Sequence, residues 1–307
     1  GGTSRAIAEL VAGERAWIWA YPRNNSLPSA LSAIEKMRRR GVWRGYLIYG
    51  EPCQCPKRLV DRLLARAAAK RIRGLRALVV GDYRTWEKLR EDARDVERLF
   101  GVATTFESIE ALQSRMSSVE LLDVEEFLRS RGRFALGSLK PAWVRDAAKM
   151  YLAVRSWLAE EGFDAFTIDC FPVIERLGVA PCLTLALLCG EGVVAACEAD
   201  LWALSAMAIG YALCGEVPWM ANLAQIDADA GEVVLAHCTA PASLAQEPIE
   251  LTTHFESGKS VSLRVSLPKG DAVLMHASPV KPVIRAHRVR VIDSPLSLES
   301  LCRTQAR

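Results

Sequence analysis

The sequence lacks most of the features that announce a function outright. It has no apolar run of membrane-spanning length. The longest, "VAPCLTLALLC" at 179–189, stops well short of the ~20 residues a helix needs to cross a bilayer. No signal-peptide pattern is visible. Neither a G-x-G-x-x-G nor a Walker-type loop is present, which removes the usual phosphate cradles and, with them, a generic nucleotide-binding protein. Net charge is only +3. The densest basic run, "KMRRRGVWR", reads as a solvated helix end, because phosphate backbones call for a broad patch; no nucleic-acid partner is expected. Lysine is scarce, 9 against 30 arginines, a bias that fits either genome composition or a hot habitat. Nine cysteines are too few and too scattered for a secreted disulfide scaffold. Cys53 and Cys55 form a C-x-C with no second pair, a pair of loop thiols or half of a zinc site. Cys170, Cys182, Cys189, Cys197 and Cys214 lie in apolar runs and read as small core residues. A cytoplasmic location is expected.

What is present is an ordinary globular composition, 50% hydrophobic and 24% charged over 307 residues, with room for two or three domains. The chain opens on "GGTSRAIAEL", which reads as a strand end entering a helix, so it is expected to begin inside its first domain. "AWIWAYP" and "RGYLIYGEP" read as buried strands around the helix "NNSLPSALSAIEKMRRRG", where Ser26 ahead of Pro28 is an N-terminal signal. After the long helix "PKRLVDRLLARAAAKRIRG", the strand "LRALVVGDY" and helix "RTWEKLREDARDVERLFG" open a second set of βα units. That set continues through a helix at 141–161, the strand "AFTIDC", two helices, the strand "VVAAC" and a helix at 199–214. From about residue 231 the texture changes to short, evenly spaced strands with Gly, Pro and Ser between them, the pattern of an antiparallel barrel or sandwich. The expected architecture is α/β: two Rossmann-like (flavodoxin-like) parallel-sheet domains, 1–75 and 76–216, followed by a β-rich, barrel-like domain at 217–307. The first and last are expected to be incomplete.

Two acids interrupt the otherwise apolar stretch "GVVAACEADLWALSAM". One reading makes Glu198 and Asp200 caps of the following helix. The other puts a carboxylate at the C-terminal end of a parallel strand, facing the crevice where such sheets bind ligands, to hold a divalent ion or move a proton. Asp169, in "FTIDCF", carries the same pair of readings. Asn222, Asp227 and His237 follow along the chain as further polar candidates, His237 with the alternative of a satisfied core histidine.

The run "CEADLWALSAMAIGYALCGEVPWMANLAQIDADAGEVVLAHCTAP" resembles the metal-site segment of the L-fucose isomerase and L-arabinose isomerase superfamily, and is most similar to its fucose isomerase-like proteins. "GGT", "NSLPSAL", "LRALVVGDYRTW" and the terminal "CRTQ" extend the likeness over most of the chain. The resemblance implies that Glu198, in an A-x-E-x-D setting, is the first metal ligand. It puts Asn222, 24 positions on, where the family has a second acidic ligand, and makes His237, in "LAHCTAP", a ligand or substrate contact. Asp200, Asp227 and Arg303 become substrate-binding candidates and Asp169 a second catalytic acid. The family's C-terminal histidine has no counterpart here, since His254, His276 and His287 lack its context. The pattern is expected to run on past "CRTQAR".

The implied activity is aldose–ketose isomerisation, which moves a proton between adjacent carbons through an enediol. That chemistry wants a divalent cation to acidify the C–H bond and carboxylates to relay the proton. Oxygen donors with one imidazole suit Mn²⁺, with Mg²⁺ the alternative. A sugar substrate and a homo-oligomer are expected. An amide at position 222 coordinates a hard cation but takes up no proton, so a sugar-binding or regulatory relative with an incomplete site is the second reading.

Overall fold

The structure, a computed structural model, describes residues 3–11, 16–51, 57–84, 86–130, 134–135, 137, 139–245, 249–280 and 283–307. Gly1 and Gly2 of the opening motif, and the C-x-C pair Cys53 and Cys55, lie outside the described residues. The chain divides into two compact units, 1–67 and 68–307.

The first unit holds α1 (Thr3–Leu10), β1 (Trp17–Ala20), α2 (Ser26–Arg39), β2 (Tyr46–Tyr49) and the start of α3 (Lys57–Ile72). β1 and β2 pair in parallel, Trp17 opposite Tyr46 through Ala20 opposite Tyr49. The core is small: Ala8, Ile18, Ala20, Ala30, Ala33, Ile34 and Met37. Ser26 is the first residue of α2 rather than its cap. Asn25 stands in the cap position with left-handed φ, and the Ser26 hydroxyl accepts from the Tyr21 amide at 3.2 Å.

The second unit begins with β3 (Arg76–Gly81), α4 (Trp86–Phe100), β4 (Ala103–Ser108), α5 (Ile109–Ser117), α6 (Leu121–Ser130), β5 (Phe134–Ala135) and α7 (Pro141–Glu161). It continues with β6 (Ala165–Ile168), α8 (Cys170–Leu177), α9 (Cys182–Gly190), β7 (Val194–Cys197) and α10 (Leu201–Cys214). Four strands form one parallel sheet in the order β4-β3-β6-β7. Every residue of β6 and β7, and all of β3 after Arg76, is buried. Continuous apolar strands of this kind belong in a parallel sheet covered on both faces, where alternation would strand polar groups in the core. Of the two outer strands β7 is fully buried, while β4, with the polar sequence "ATTFES", is partly exposed. Helix α7 packs on α5, α6 and α9, while α10 packs on α4. The second contact is fixed by the Trp202 indole donating to Asp92 at 2.9 Å and lying edge-on to Phe100. The nearly all-apolar α10 is buried along most of its length, because β12 covers it as well.

The C-terminal strands are β8 (Asn222–Asp227), β9 (Glu232–His237), β10 (Ile249–Thr252), β11 (Ser262–Arg264), β12 (Gly270–Ser278), β13 (Val283–Val291) and β14 (Thr304–Ala306). Among the described residues they form three separate sheets: antiparallel β14-β9-β8, an antiparallel β12-β13 ribbon, and β11-β10-β5, in which β5 joins β10 in parallel. The barrel or sandwich pattern of the sequence thus appears as small separate sheets, one completed by a strand from residues 134–135. Val217, Cys238, Ala240, Leu251 and Leu263 share one apolar core with β3, β6 and β7. No described helix is long and apolar enough to cross a membrane.

A candidate active site at the ends of three parallel strands

In the sheet order β4-β3-β6-β7, all parallel, β4 is added on one side of β3 and β6 on the other, so the order of strand addition reverses between β3 and β6. Parallel sheets leave a crevice at the carboxyl edge of such a reversal. Each of the three strands flanking or following it ends on an acid: Asp82 after β3, Asp169 after β6 and Glu198 after β7. Asp82 is committed locally, accepting from the Arg84 amide at 3.0 Å and lying 3.4 Å from the Arg176 guanidinium. Asp169 occupies the cap position of α8 without a side-chain cap bond. Its Cβ lies where a side chain on Gly81 would come within 3.3 Å, so the absence of a Cβ at position 81 keeps room around it.

Glu198 and Asp200, alike in the sequence, have separate tasks. The Asp200 carboxylate accepts from the Trp202 and Ala203 amides at 2.9 and 2.8 Å and so caps α10, as the bland reading requires. Glu198 takes no part in that cap. It and Ala199 both have positive φ, 60° and 51°, a conformation that costs an L-residue roughly 1–2 kcal/mol. The turn is held open by the Ala199 amide donating to Ile168 O at 3.0 Å and the Asp200 amide donating to Cys197 O at 3.1 Å. Strain of this kind persists only where its surroundings enforce it, and it gathers at working sites. Here it swings the Glu198 side chain out of the helix register.

The swing brings Glu198 Oε1 to 4.0 Å from Nε2 of His237, the last residue of β9. That is too long for a hydrogen bond. It is a suitable spacing for two donors on one ion, since metal–ligand bonds of about 2.1 Å place neighbouring donors roughly 3–4 Å apart. Burial pushes His237 down to about 4, with the nearby His254 adding to the effect, so its imidazole is neutral near pH 7, the state a metal requires. Its Nδ1 is buried and has no hydrogen-bond partner among the described residues. The Glu198 side chain is 45% exposed, yet partial desolvation raises it above the ordinary carboxylate value, and the negative charges of Asp200, Glu256 and Asp169 push the same way. An acidic pocket that penalises a carboxylate's charge is one a cation relieves.

Cys197 completes a group whose donor atoms all lie within 4.8 Å of one another, Cys197, Glu198 and His237. A hydrogen bond with Cys170 and burial hold the Cys197 thiol far above its usual value. As a neutral thiol it is a poor ligand, so the carboxylate and imidazole are the donors that fit, and they suit a hard to borderline cation. The segment before β8 is pinned across the end of β7: Met220 Sδ accepts from the Cys197 amide at 3.4 Å and the Trp219 indole donates to Thr239 O at 2.7 Å.

The remaining candidates fall in different places. Asn222 pairs with Ala236, one register position from His237, and its side chain is exposed. Asp227 sits at the far end of the same hairpin. There its carboxylate accepts from the Asp229 and Ala230 amides at 3.1 and 2.9 Å, so it shapes the β8–β9 turn and is not brought to Glu198. Arg303 precedes β14, donates to Thr253 O at 3.2 Å and lies over the Phe255 ring at 5.4 Å. His254, which no motif singles out, is buried, influences His237 and packs edge-on to Phe171. A tight turn delivers it, with the Gly258 amide donating to His254 O at 2.9 Å and Ser257 Oγ 3.0 Å from its Nδ1. Glu256, in the same turn, adds to the charge around Glu198. The only sequence signal for either residue is the H-x-E spacing between two strands.

No protein-family model matches the chain. It is similar to sulfoquinovose isomerases: 36% identical over 109 residues to that of Alkalicoccus urumqiensis, which is 34% of this chain and 25% of the relative. The likeness to the enzyme of Priestia aryabhattai is 26% over 245 residues, 75% of this chain and 54% of the relative. To that of Clostridium sp. (strain MSTE9) it is 28% over 234 residues, 73% and 52%. In these two longer matches the chain spans about half the length of the curated relatives.

Proposed function

We propose that the chain belongs to a metal-dependent aldose–ketose isomerase related to the fucose and arabinose isomerases, with Glu198 and His237 holding the cation. One observation carries the reading: a strained, cap-free carboxylate stands 4.0 Å from a buried neutral imidazole at the carboxyl edge of a parallel sheet. The relatives' name supports the reaction class and points to a sulfonated aldose as substrate. The parallel sheet fits a flavodoxin-like domain within a three-part layout with boundaries near 75 and 216.

A divalent ion bound here, Mn²⁺ by preference, supplies Lewis acidity toward a carbonyl and its neighbouring hydroxyl. Glu198, raised above the ordinary carboxylate value by its surroundings, is the first proton carrier. Asp169, one strand away, is the second proton carrier in a transfer between adjacent carbons. Asp200 positions Glu198 by anchoring α10, and Asn222 offers an amide oxygen to the ion or to a sugar hydroxyl. Sites of this superfamily are completed by neighbouring subunits, so a homo-oligomer is part of the proposal.

A second reading, a sugar-binding relative with an incomplete site, draws on the amide at position 222 and on the His237 Nδ1, which has no orienting partner among the described residues. Bound metal together with ketose formation from a panel of aldoses, sulfoquinovose included, supports the isomerase. Metal-free protein that binds sugar without converting it supports the alternative.

A further inference from the structure

Beyond the metal site, two arginines frame a cavity of about 110 Å³ in the C-terminal sheets. By the same measure a single water needs only ~10–15 Å³. Arg264, from β11, and Arg303, before β14, line it with Ser297, Glu299 and Gln305. We propose that this cavity receives a tetrahedral oxyanion, the sulfonate or phosphate borne by the sugar substrate. The sugar's part in this rests on the isomerase reading; the anion's part does not.

Both guanidiniums are held in place, Arg303 by neutral groups alone and Arg264 with one acid at a distance. Arg303 spends its donors on neutral oxygens, Thr253 O at 3.2 Å and Thr253 Oγ1 at 3.5 Å, and its plane lies over Phe255. Arg264 approaches Glu250 at 3.7 Å, beyond good hydrogen-bond length, and its Nε is buried with no acceptor among the described residues. A buried, unsatisfied guanidinium donor is costly and calls for a partner. Glu299 is the only acid among the described lining residues, and Glu250 stands behind Arg264 rather than in the lining. Planar, multi-donor guanidinium groups are the side chains that best match sulfonate and phosphate oxygens.

The opposite wall is preorganised. Gln305, buried in β14, accepts from the Leu298 amide at 3.0 Å and donates to Leu298 O and Cys302 O at 2.8 and 2.9 Å, clamping the 296–302 loop. Ser297, in that loop, brings a hydroxyl to the lining. The cavity is also tied to the metal site. Thr304, between Arg303 and Gln305, pairs directly with His237, and its hydroxyl accepts from the Val265 amide, next to Arg264, at 3.1 Å. Arg303 in turn donates to Thr253 O, the neighbour of His254, whose charge bears on His237. A sugar held at one end by its vicinal oxygens has its other end to be recognised, and a neutral hydroxymethyl would offer the guanidiniums no charge.

The test is calorimetric titration of the chain, with Mn²⁺ present, using a 6-sulfo-6-deoxyhexose, the hexose 6-phosphate, the parent hexose and inorganic sulfate. The expected result is that an anionic sugar binds about tenfold or more tightly than the parent at low salt. Arg264→Gln and Arg303→Gln each remove that preference, and Arg303→Lys keeps part of it. Melting curves confirm that each variant is folded. Whether the sulfonate or the phosphate binds more tightly identifies which the cavity is built for. Equal affinity for anionic and neutral sugars, a preference that survives both glutamine variants, or no binding of any oxyanion overturns the proposal. Failure of the isomerase reading gives a different result: no ketose forms, while the anion preference and its arginine dependence persist.

Discussion

Glu198 Oε1 and His237 Nε2 face each other at 4.0 Å, one carried by a strained turn after β7 and the other sealed at the end of β9. Neither side chain serves a local structural need that would explain its position, since Asp200 alone caps α10. Their separation in sequence means that the second unit must fold before the pair exists.

Substituting Glu198→Gln is expected to cost ketose formation ~10²–10⁴-fold, the range for losing a proton-transfer group. Stability should move the other way. A carboxyl raised in the folded state contributes stability that is present at low pH and lost as pH rises through its folded value. The variant, free of the repulsion from Asp200, Glu256 and Asp169, should melt at or above the parent's temperature near neutral pH without metal. Paired activity assays and melting curves check both directions.

Ala199 is buried and left-handed. Replacing it with Val, which tolerates that region far less, is expected to cost about 2 kcal/mol or more and to displace Glu198. Chemical denaturation together with metal affinity measures the two effects.

The buried histidine sets an acid limit. His237 binds its proton at about 4 in the folded chain and at about 6.5 unfolded, so the unfolded state holds more protons between those values. Its contribution is complete above pH 6.5 and falls as pH drops toward 4, by about 3 kcal/mol in total. Below that, both states are protonated and the loss stops. Metal-free His237→Asn should lack this pH-dependent loss in denaturation series run from pH 7 to pH 4.

Asp200 and Asp227 separate the structural acids from the working one. Asp200→Ala should destabilise by about 1 kcal/mol, the usual worth of an N-cap. Asp227→Ala should slightly loosen the β8–β9 turn and leave turnover unchanged, because its carboxylate is spent on two turn amides. A large activity loss in the Asp227 variant would mean that this acid reaches the substrate after all.

The sequence was most readable where one period dominated. The helix at 141–161 and the apolar strands β3, β6 and β7 stand out because a buried parallel sheet leaves no ambiguity about which faces are wet. The stretch 103–130 carries little signal, because β4 is a polar outer strand and α5 and α6 are short. In the site, Glu198 and His237 were legible as chemical types in a familiar setting. Their roles were not, because nothing in "CEAD" says which acid caps and which turns left-handed without a glycine. His254 and Glu256 escaped because a turn far along the chain delivers them, and Cys197 because a thiol in an apolar strand looks like packing.

The most direct test is Mn²⁺ titration of the metal-free chain followed by calorimetry, with Glu198→Gln and His237→Asn alongside. The account predicts one ion per chain, bound by the parent and lost in each variant while both remain folded. Parent protein that takes up no ion, or variants that bind it unchanged, would contradict it.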